Sequence, residues 1–320
     1  MSNHLDTISP LLEAKISALD TMDDYTYTVI FCRYQEQWLY CRAKERDTFE
    51  TAGGRVEPSE EILEAAKREL FEETGAITYD ITPAFDYSTR RAGHEKFTHG
   101  QVFFAEIHEL GDMPAFEMAE VKTFDTIPNK MRFPEILPVL FKAMQGWLNI
   151  QKSKQELWDI YDTDRNLTGR THLRGGKHFL AEGDYHLVAI ILLQNSKGEF
   201  VIVKRSPLIT APNMWIFPGG SAVAGDDSLT TAIKETKEET GLDVIPDKGK
   251  LLYTNKSKDT FFDIWLFRQD FDINDVVLQE GETTDAKYAG IDEIRKMIEN
   301  GEFHTSSYFT DEVFDKLEKP

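Results

Sequence analysis

The chain has 320 residues, 41% of them hydrophobic and 12% aromatic, which is long for one ordinary domain and too apolar for a disordered chain. Lys and Arg total 36 against 56 Asp and Glu, a net charge of −20; so acidic a surface repels phosphate backbones and excludes general nucleic-acid binding. No stretch approaches about 18 consecutive apolar residues, so no segment is expected to span a membrane, and residues 1–9 lack the basic-then-apolar order of a signal peptide.

Residues 1–24 read as a terminal segment. Residues 27–33 and 38–42 are apolar runs separated by polar residues at 35–37, which predicts a hairpin. Cys32 and Cys41 fall one in each run. They read as reduced core thiols of a cytoplasmic protein, because a disulfide across the hairpin has no contextual support. Next come the paired glycines Gly53 and Gly54, a helix over about 59–74, strands at about 84–88 and 100–107, and a helix over 135–148. The polar stretch 151–156 marks a seam, and 156–170 reads as an extra strand and turn. Residues 185–193 and 200–204 predict strands around a turn at 195–198. Gly219 and Gly220, an acidic helix, strands near 251–254 and 261–268, and a helix over 292–299 follow.

The second half repeats the first. An offset of 166 carries Gly54 onto Gly220, Ala66 onto Ala232, Glu69 onto Glu235, Glu72 onto Glu238, Glu73 onto Glu239 and Gly75 onto Gly241. An offset of 165 carries Glu117 onto Glu282 and Glu120 onto Asp285. Register kept over this length marks a duplicated fold. Domain 1 is placed at 25–150 and domain 2 at 183–320, with 151–182 as linker and lead-in strand; the two are expected to pack as a pseudo-dimer. Strands and helices without strict alternation predict an α/β (α+β) architecture in each copy, a mixed sheet sandwiched between helices.

In the first acidic helix Ser59 is the expected N-cap and Gly75 the C-terminal cap. Ile62, Leu63, Ala66 and Leu70 form its buried stripe. Glu69, Glu72 and Glu73, at i, i+3 and i+4, share one face. Like charges so placed destabilise a helix by about a few tenths of a kcal/mol per pair. The pattern therefore calls for cations: Arg68, and a hard divalent ion with oxygen ligands. A solvated acidic face accounts for the glutamates alone, but not for Gly54, Glu60, Arg68 and Gly75 at fixed spacing.

From Gly54 to Ala76 the residues fill Gly-x5-Glu-x7-Arg-Glu-U-x-Glu-Glu-x-Gly-U, with U aliphatic, and here the chain resembles the Nudix hydrolase superfamily. The resemblance implies a loop–helix–loop that holds Mg2+ or Mn2+. It implies Glu69, Glu72 and Glu73 as ligands or water-activating groups, the Gly54 carbonyl as an added ligand, and Arg68 as the group that orients a carboxylate. It also implies a further carboxylate from outside the helix. Of Glu117 and Glu120, Glu120 is preferred; the bland reading of both is a solvated loop.

In the second copy Gly220, Glu235, Glu238, Glu239, Gly241 and Leu242 keep the pattern over 220–242, but Asp226, Lys234 and Thr236 replace Glu, Arg and an aliphatic residue. Lys cannot make the bidentate fork of Arg, so Glu235, Glu238 and Glu239 are provisional metal ligands of a weakened or differently tuned site. The lead-in from Trp158 to Arg170, followed by Tyr185 and His186, is similar to members related to isopentenyl-diphosphate isomerase. Residues 212–220 lack the cysteine that an isomerase of that kind requires, which disfavours that reading. Arg90, Arg91 and Lys96 form a cationic run expected to grip phosphate, with a solvated loop as the bland alternative. Trp215 is a candidate for stacking on a base, with core packing as its bland alternative. The expected activity is divalent-metal-dependent cleavage of a phosphoanhydride bond in a small nucleotide-like substrate: a nucleoside diphosphate linked to another group, such as a nucleoside triphosphate or a nucleotide sugar. The competing reading is a nucleotide-binding regulatory module with little catalysis.

Overall fold

The computed structural model of the chain describes residues 12–91, 94–114, 117–176, 179–305 and 311–318, without the side chains of Leu12, Arg91, Asp311, Glu312, Asp315 and Glu318. The chain divides into two compact units, Met1–Trp147 and Leu148–Pro320.

Unit 1 is built on a sheet of β1 (Leu12–Ser17), β2 (Tyr27–Tyr34), β3 (Gln37–Ala43), β4 (Ala76–Arg91), β5 (Thr98–Leu110) and β6 (Met118–Phe124), with helix α1 (Ile62–Thr74) and the first part of α2 (Leu137–Ser153), whose residues after Trp147 belong to unit 2. The strand order is β1-β4-β5-β2-β3-β6. Only the central β2–β5 pair is parallel, so the sheet is mixed, as a fold without strict alternation requires. α1 buries Ala65, Ala66 and Leu70 against Ile30, Leu39, Phe103 and Ala105 of the sheet. Ile62 and Leu63 pack at the edge of the same cluster.

Unit 2 opens with a separate hairpin of β7 (Leu157–Tyr161) and β8 (Leu167–Leu173). Its main sheet comprises β9 (His186–Gln194), β10 (Phe200–Arg205), β11 (Trp215–Ile216), β12 (Gly219–Ser221), β13 (Gly249–Lys256), β14 (Thr260–Arg268) and β15 (Thr283–Ala289). Helices α3 (Ser228–Thr240), α4 (Ile291–Glu299) and α5 (Asp311–Glu318) complete it. β9 and β14 run parallel, as β2 and β5 do in unit 1. β15 pairs with β10 as β6 pairs with β3.

Several local expectations are corrected. Glu120 lies on the edge strand β6 rather than in a loop, opposite Arg42, while Glu117 sits in the bend just before that strand. β4 begins at Ala76, not 84, and its register shifts between Pro83 and Phe85, where a residue without an N–H is tolerated. α1 begins at Ile62, with Glu61 rather than Ser59 at its N-cap position. Glu60 accepts the Glu57 N–H and both prongs of Arg68. That turn leaves Ser59 outside the helix at φ 67°. Gly75 does cap α1 in the left-handed conformation, φ 72°.

Candidate functional site

Each unit carries the same backbone device. In unit 1 the segment before α1 runs beside β2, with Ile30 N–H donating to the Ala52 carbonyl at 2.7 Å and Thr28 N–H to the Gly54 carbonyl at 2.9 Å. In unit 2 β12 pairs with β9 in the equivalent place. The helix carboxylates then close onto this segment. Gly53 N–H donates to Glu73 Oε2 at 2.8 Å, and Gly219 N–H to Glu239 Oε2 at 3.1 Å. A Cβ at Gly54 would occupy the place of the Glu69 carboxylate, and one at Gly220 that of the Glu235 carboxylate. This close approach is why both loops need glycine. The Gly54 carbonyl keeps one lone pair beyond its bond to Thr28.

The cation that organises the helix face differs between the copies. Arg68 donates through Nε and NH2 to both oxygens of Glu60, at 2.9 and 3.0 Å, and through NH1 to Glu69 at 2.8 Å. It also lies 3.5 Å from Glu72. Lys234 spends its ammonium on the two oxygens of Asp226, at 2.8 and 2.6 Å. Glu235 receives no hydrogen bond among the described residues. The electrostatics follow. Burial raises the Glu69 carboxyl, but the Arg68 bond and charge pull it back. Burial, aided by Glu238 and Glu282, pushes Glu235 to about 8. Burial also lifts Glu73 to about 8, against the Gly53 bond and with Glu50 and Glu69 adding to the rise. Glu239 stands well above the carboxylate range for the same leading cause.

Among the described residues, no three Asp, Glu, His or Cys side chains converge closely enough to chelate an ion as placed. The donor set nevertheless suits a hard divalent cation. It consists of carboxylate and carbonyl oxygens, and the burial that chiefly raises Glu73, Glu235 and Glu239, with neighbouring carboxylates adding to it, is a cost that such a charge would offset.

A cavity of about 680 Å3 in unit 1 runs along Gly53 and Gly54. Arg90 and Lys96 line it, with Tyr27, Tyr87 and Phe133 as aromatic walls. Arg90 is also held by Glu13 at 2.6 Å. The Arg91 side chain lies outside the described residues. The cavity touches the site at Gly53 and Gly54, and none of Arg68, Glu69, Glu72, Glu73 and Glu120 lines it. Glu120 pairs with Arg42 across β3 and β6 at 2.9 Å. Trp215 packs against the core of unit 2, takes Lys287 over its ring at 4.9 Å and is not a wall of that unit's cavity.

Sequence reasoning missed the fourth carboxylates. In unit 1 it is Glu50, only 7% exposed, lining the cavity, adding by repulsion to the rise of the Glu73 carboxyl and bound by Arg132 at 2.7 Å. In unit 2 the position corresponding to Glu50 is Ile216, and Glu282 takes over, lining a cavity of about 660 Å3 with Glu235, Glu238 and Glu239. The 165-residue offset matches Glu282 to Glu117, and the backbone agrees: Ser206 N–H donates to the Glu282 carbonyl as Lys44 N–H does to that of Glu117. That offset was the available signal for Glu282. Nothing in the sequence singled out Glu50.

The NUDIX domain family matches the chain twice, over residues 24–132 and 184–309. An uncharacterised Nudix hydrolase of Listeria monocytogenes is 33% identical over 162 residues, 50% of this chain and 94% of that protein. A putative 8-oxo-dGTP diphosphatase of Bacillus subtilis is 28% identical over 137 residues, 42% of this chain and 85% of that protein. A solved pyrophosphohydrolase of Bacillus subtilis shares 27% identity, covering 44% of this chain and 90% of its own, with a TM-score of 0.38.

Proposed function

The chain belongs to the Nudix family, and on that premise we propose that unit 1 is a divalent-metal-dependent hydrolase of a phosphoanhydride bond in a nucleoside diphosphate linked to another group. The observation that carries this reading is the complete latch around α1: Arg68 fixed on Glu60 and holding Glu69, with Glu73 held by the Gly53 N–H. Glu69, Glu72, Glu73 and the Gly54 carbonyl would hold the ion. Bound there, Mg2+ or Mn2+ supplies charge neutralisation across the phosphates and a more acidic water. Arg68 keeps Glu69 in a fixed pose, so no reorganisation is needed during the reaction. Arg90, Lys96 and Arg132 face the cavity and bind phosphate oxygens, while Tyr27, Tyr87 and Phe133 offer faces for a base. The relative described as a putative 8-oxo-dGTP diphosphatase supports a nucleotide substrate. Buried free thiols at Cys32 and Cys41 suit the cytoplasm.

The test is a panel of nucleoside triphosphates and nucleoside diphosphate derivatives with Mg2+ or Mn2+. Wild type is expected to turn over at least one of them and Glu73→Gln none. Unchanged turnover by Glu73→Gln would overturn the assignment. A second reading, binding without cleavage, applies to unit 2, where Lys234 leaves Glu235 unheld.

A further inference from the structure

The cavities of the two units differ in what they offer a ligand. That of unit 1 has three aromatic walls and an apolar side of Ile136, Leu137 and Leu140. That of unit 2, of nearly the same volume, has no aromatic residue among the described ones that line it; its apolar members are the aliphatic Ile150, Leu208, Ile209 and Val223. Base recognition draws on aromatic faces, and the described lining of this cavity provides none.

It is instead lined by charge of both signs. The carboxylates are Glu156, Asp226, Glu235, Glu238, Glu239 and Glu282. Facing them are Lys152, Lys154, Arg174, Arg205 and Lys234. Part of this charge is delivered by an element with no counterpart among the described residues of unit 1. The β7–β8 hairpin begins after Glu156 and ends before Arg174, and these two flanking residues pair at 3.0 Å. The hairpin is pinned at its turn, where the Arg165 guanidinium meets the fully buried Asp263. Two further groups in the cavity wall point to a ligand. Among the described residues Glu235 has no donor and the buried Gln279 Oε1 has no partner.

We propose that the unit-2 site takes a compact, multiply phosphorylated ligand without a nucleobase, together with a divalent cation, and so differs in ligand class from unit 1. Phosphate oxygens match Arg174 and Lys152, and Arg205, held by Thr210 through Nε and Nη2, adds positive charge to the same wall. Phosphate oxygens gain nothing from the glutamates directly, so an ion is what joins the ligand to that half of the lining. The proposal rests on the metal-binding reading of the helix carboxylates. Measuring binding rather than turnover, with unit 1 impaired, keeps its failure distinct from failure of the hydrolase assignment.

The experiment is calorimetric titration of the full chain carrying Glu73→Gln, with inorganic tripolyphosphate or the imido analogue of ATP as probe, with and without Mg2+. At the site lost with Arg174→Ala, tripolyphosphate is expected to bind only with Mg2+, and the nucleotide analogue no tighter; analogue binding that survives that substitution belongs to unit 1. Adding Arg174→Ala or Glu239→Gln is expected to weaken binding at least tenfold. Lys152→Ala, at an exposed position, is expected to weaken it several-fold, and serves where a buried substitution disturbs folding. The proposal is overturned by absent tripolyphosphate binding, by binding indifferent to all three substitutions, or by an analogue bound tenfold tighter than tripolyphosphate.

Discussion

At Arg68 the planar guanidinium serves two glutamates at once, Glu60 through two bonds and Glu69 through one, and an ammonium cannot reproduce that fork. Unit 2 displays the consequence of the exchange, since Lys234 satisfies Asp226 and leaves Glu235 to burial. Arg68→Lys is therefore expected to lower turnover or metal affinity about 10–100-fold, the usual cost of losing a group that orients a ligand, with the fold intact by circular dichroism. Unchanged Mg2+ titration and turnover would show that the arginine does not organise the site. The raised carboxyls give a pH dependence whose sign is fixed. Glu73 and Glu235 rise from an ordinary 4.5 to about 8, so the metal-free folded state holds protons that the unfolded chain has released. Their contribution to stability is complete below about pH 4.5 and is lost as pH rises through about 8. The Tm of metal-free protein should fall across that window, and saturating Mg2+ should flatten the decline while releasing protons on binding. The i, i+3, i+4 glutamates and the arginine before them were legible in the sequence because helical spacing puts them on one face. Glu50 was not, because its approach to Glu73 depends on the strand before Gly53 lying beside α1.

The glycine pair and the helix after it act as one element, held by backbone-to-carboxylate bonds. Gly54→Ala places a methyl where Glu69 lies. The obstacle is the end of a flexible side chain, so the carboxylate moves rather than the backbone. Turnover is expected to fall at least tenfold while chemical denaturation shows a loss of about 1 kcal/mol or less. A large loss of stability instead would mean that the loop itself had been disrupted. In unit 2 the β7–β8 hairpin is fastened by Arg165, which bonds both oxygens of Asp263 while Thr254 donates to the same carboxylate. Removing the arginine strands a buried charge, so Arg165→Ala should cost about 2 kcal/mol or more, read as a lower midpoint in urea. A neutral effect would show that the hairpin is not fastened there. The sequence showed an extra strand and turn in this lead-in, but not its anchor, because Arg165 and Asp263 are 98 residues apart.

Across the whole molecule one fold occurs twice, with one device kept and its surroundings changed. The kept part is the glycine pair and the glutamate helix; the changed part is the organising cation, the fourth carboxylate and the cavity wall. Cleavage of nucleoside substrates is expected to disappear in Glu73→Gln and to persist in Glu239→Gln. The reverse pattern in steady-state assays would move the activity to unit 2. Duplication, the family pattern and the three glutamates of each helix were determined by sequence alone, because each is a local spacing that survives without knowledge of what packs against it. Tertiary structure decided which distant groups join those glutamates. It withdrew Glu120 into a pair with Arg42 and Trp215 into the core, and brought Glu50 and Glu282 to the helices. Those are contacts between strands and loops far apart in the chain, set by sheet pairing and burial rather than by any period in the residues themselves.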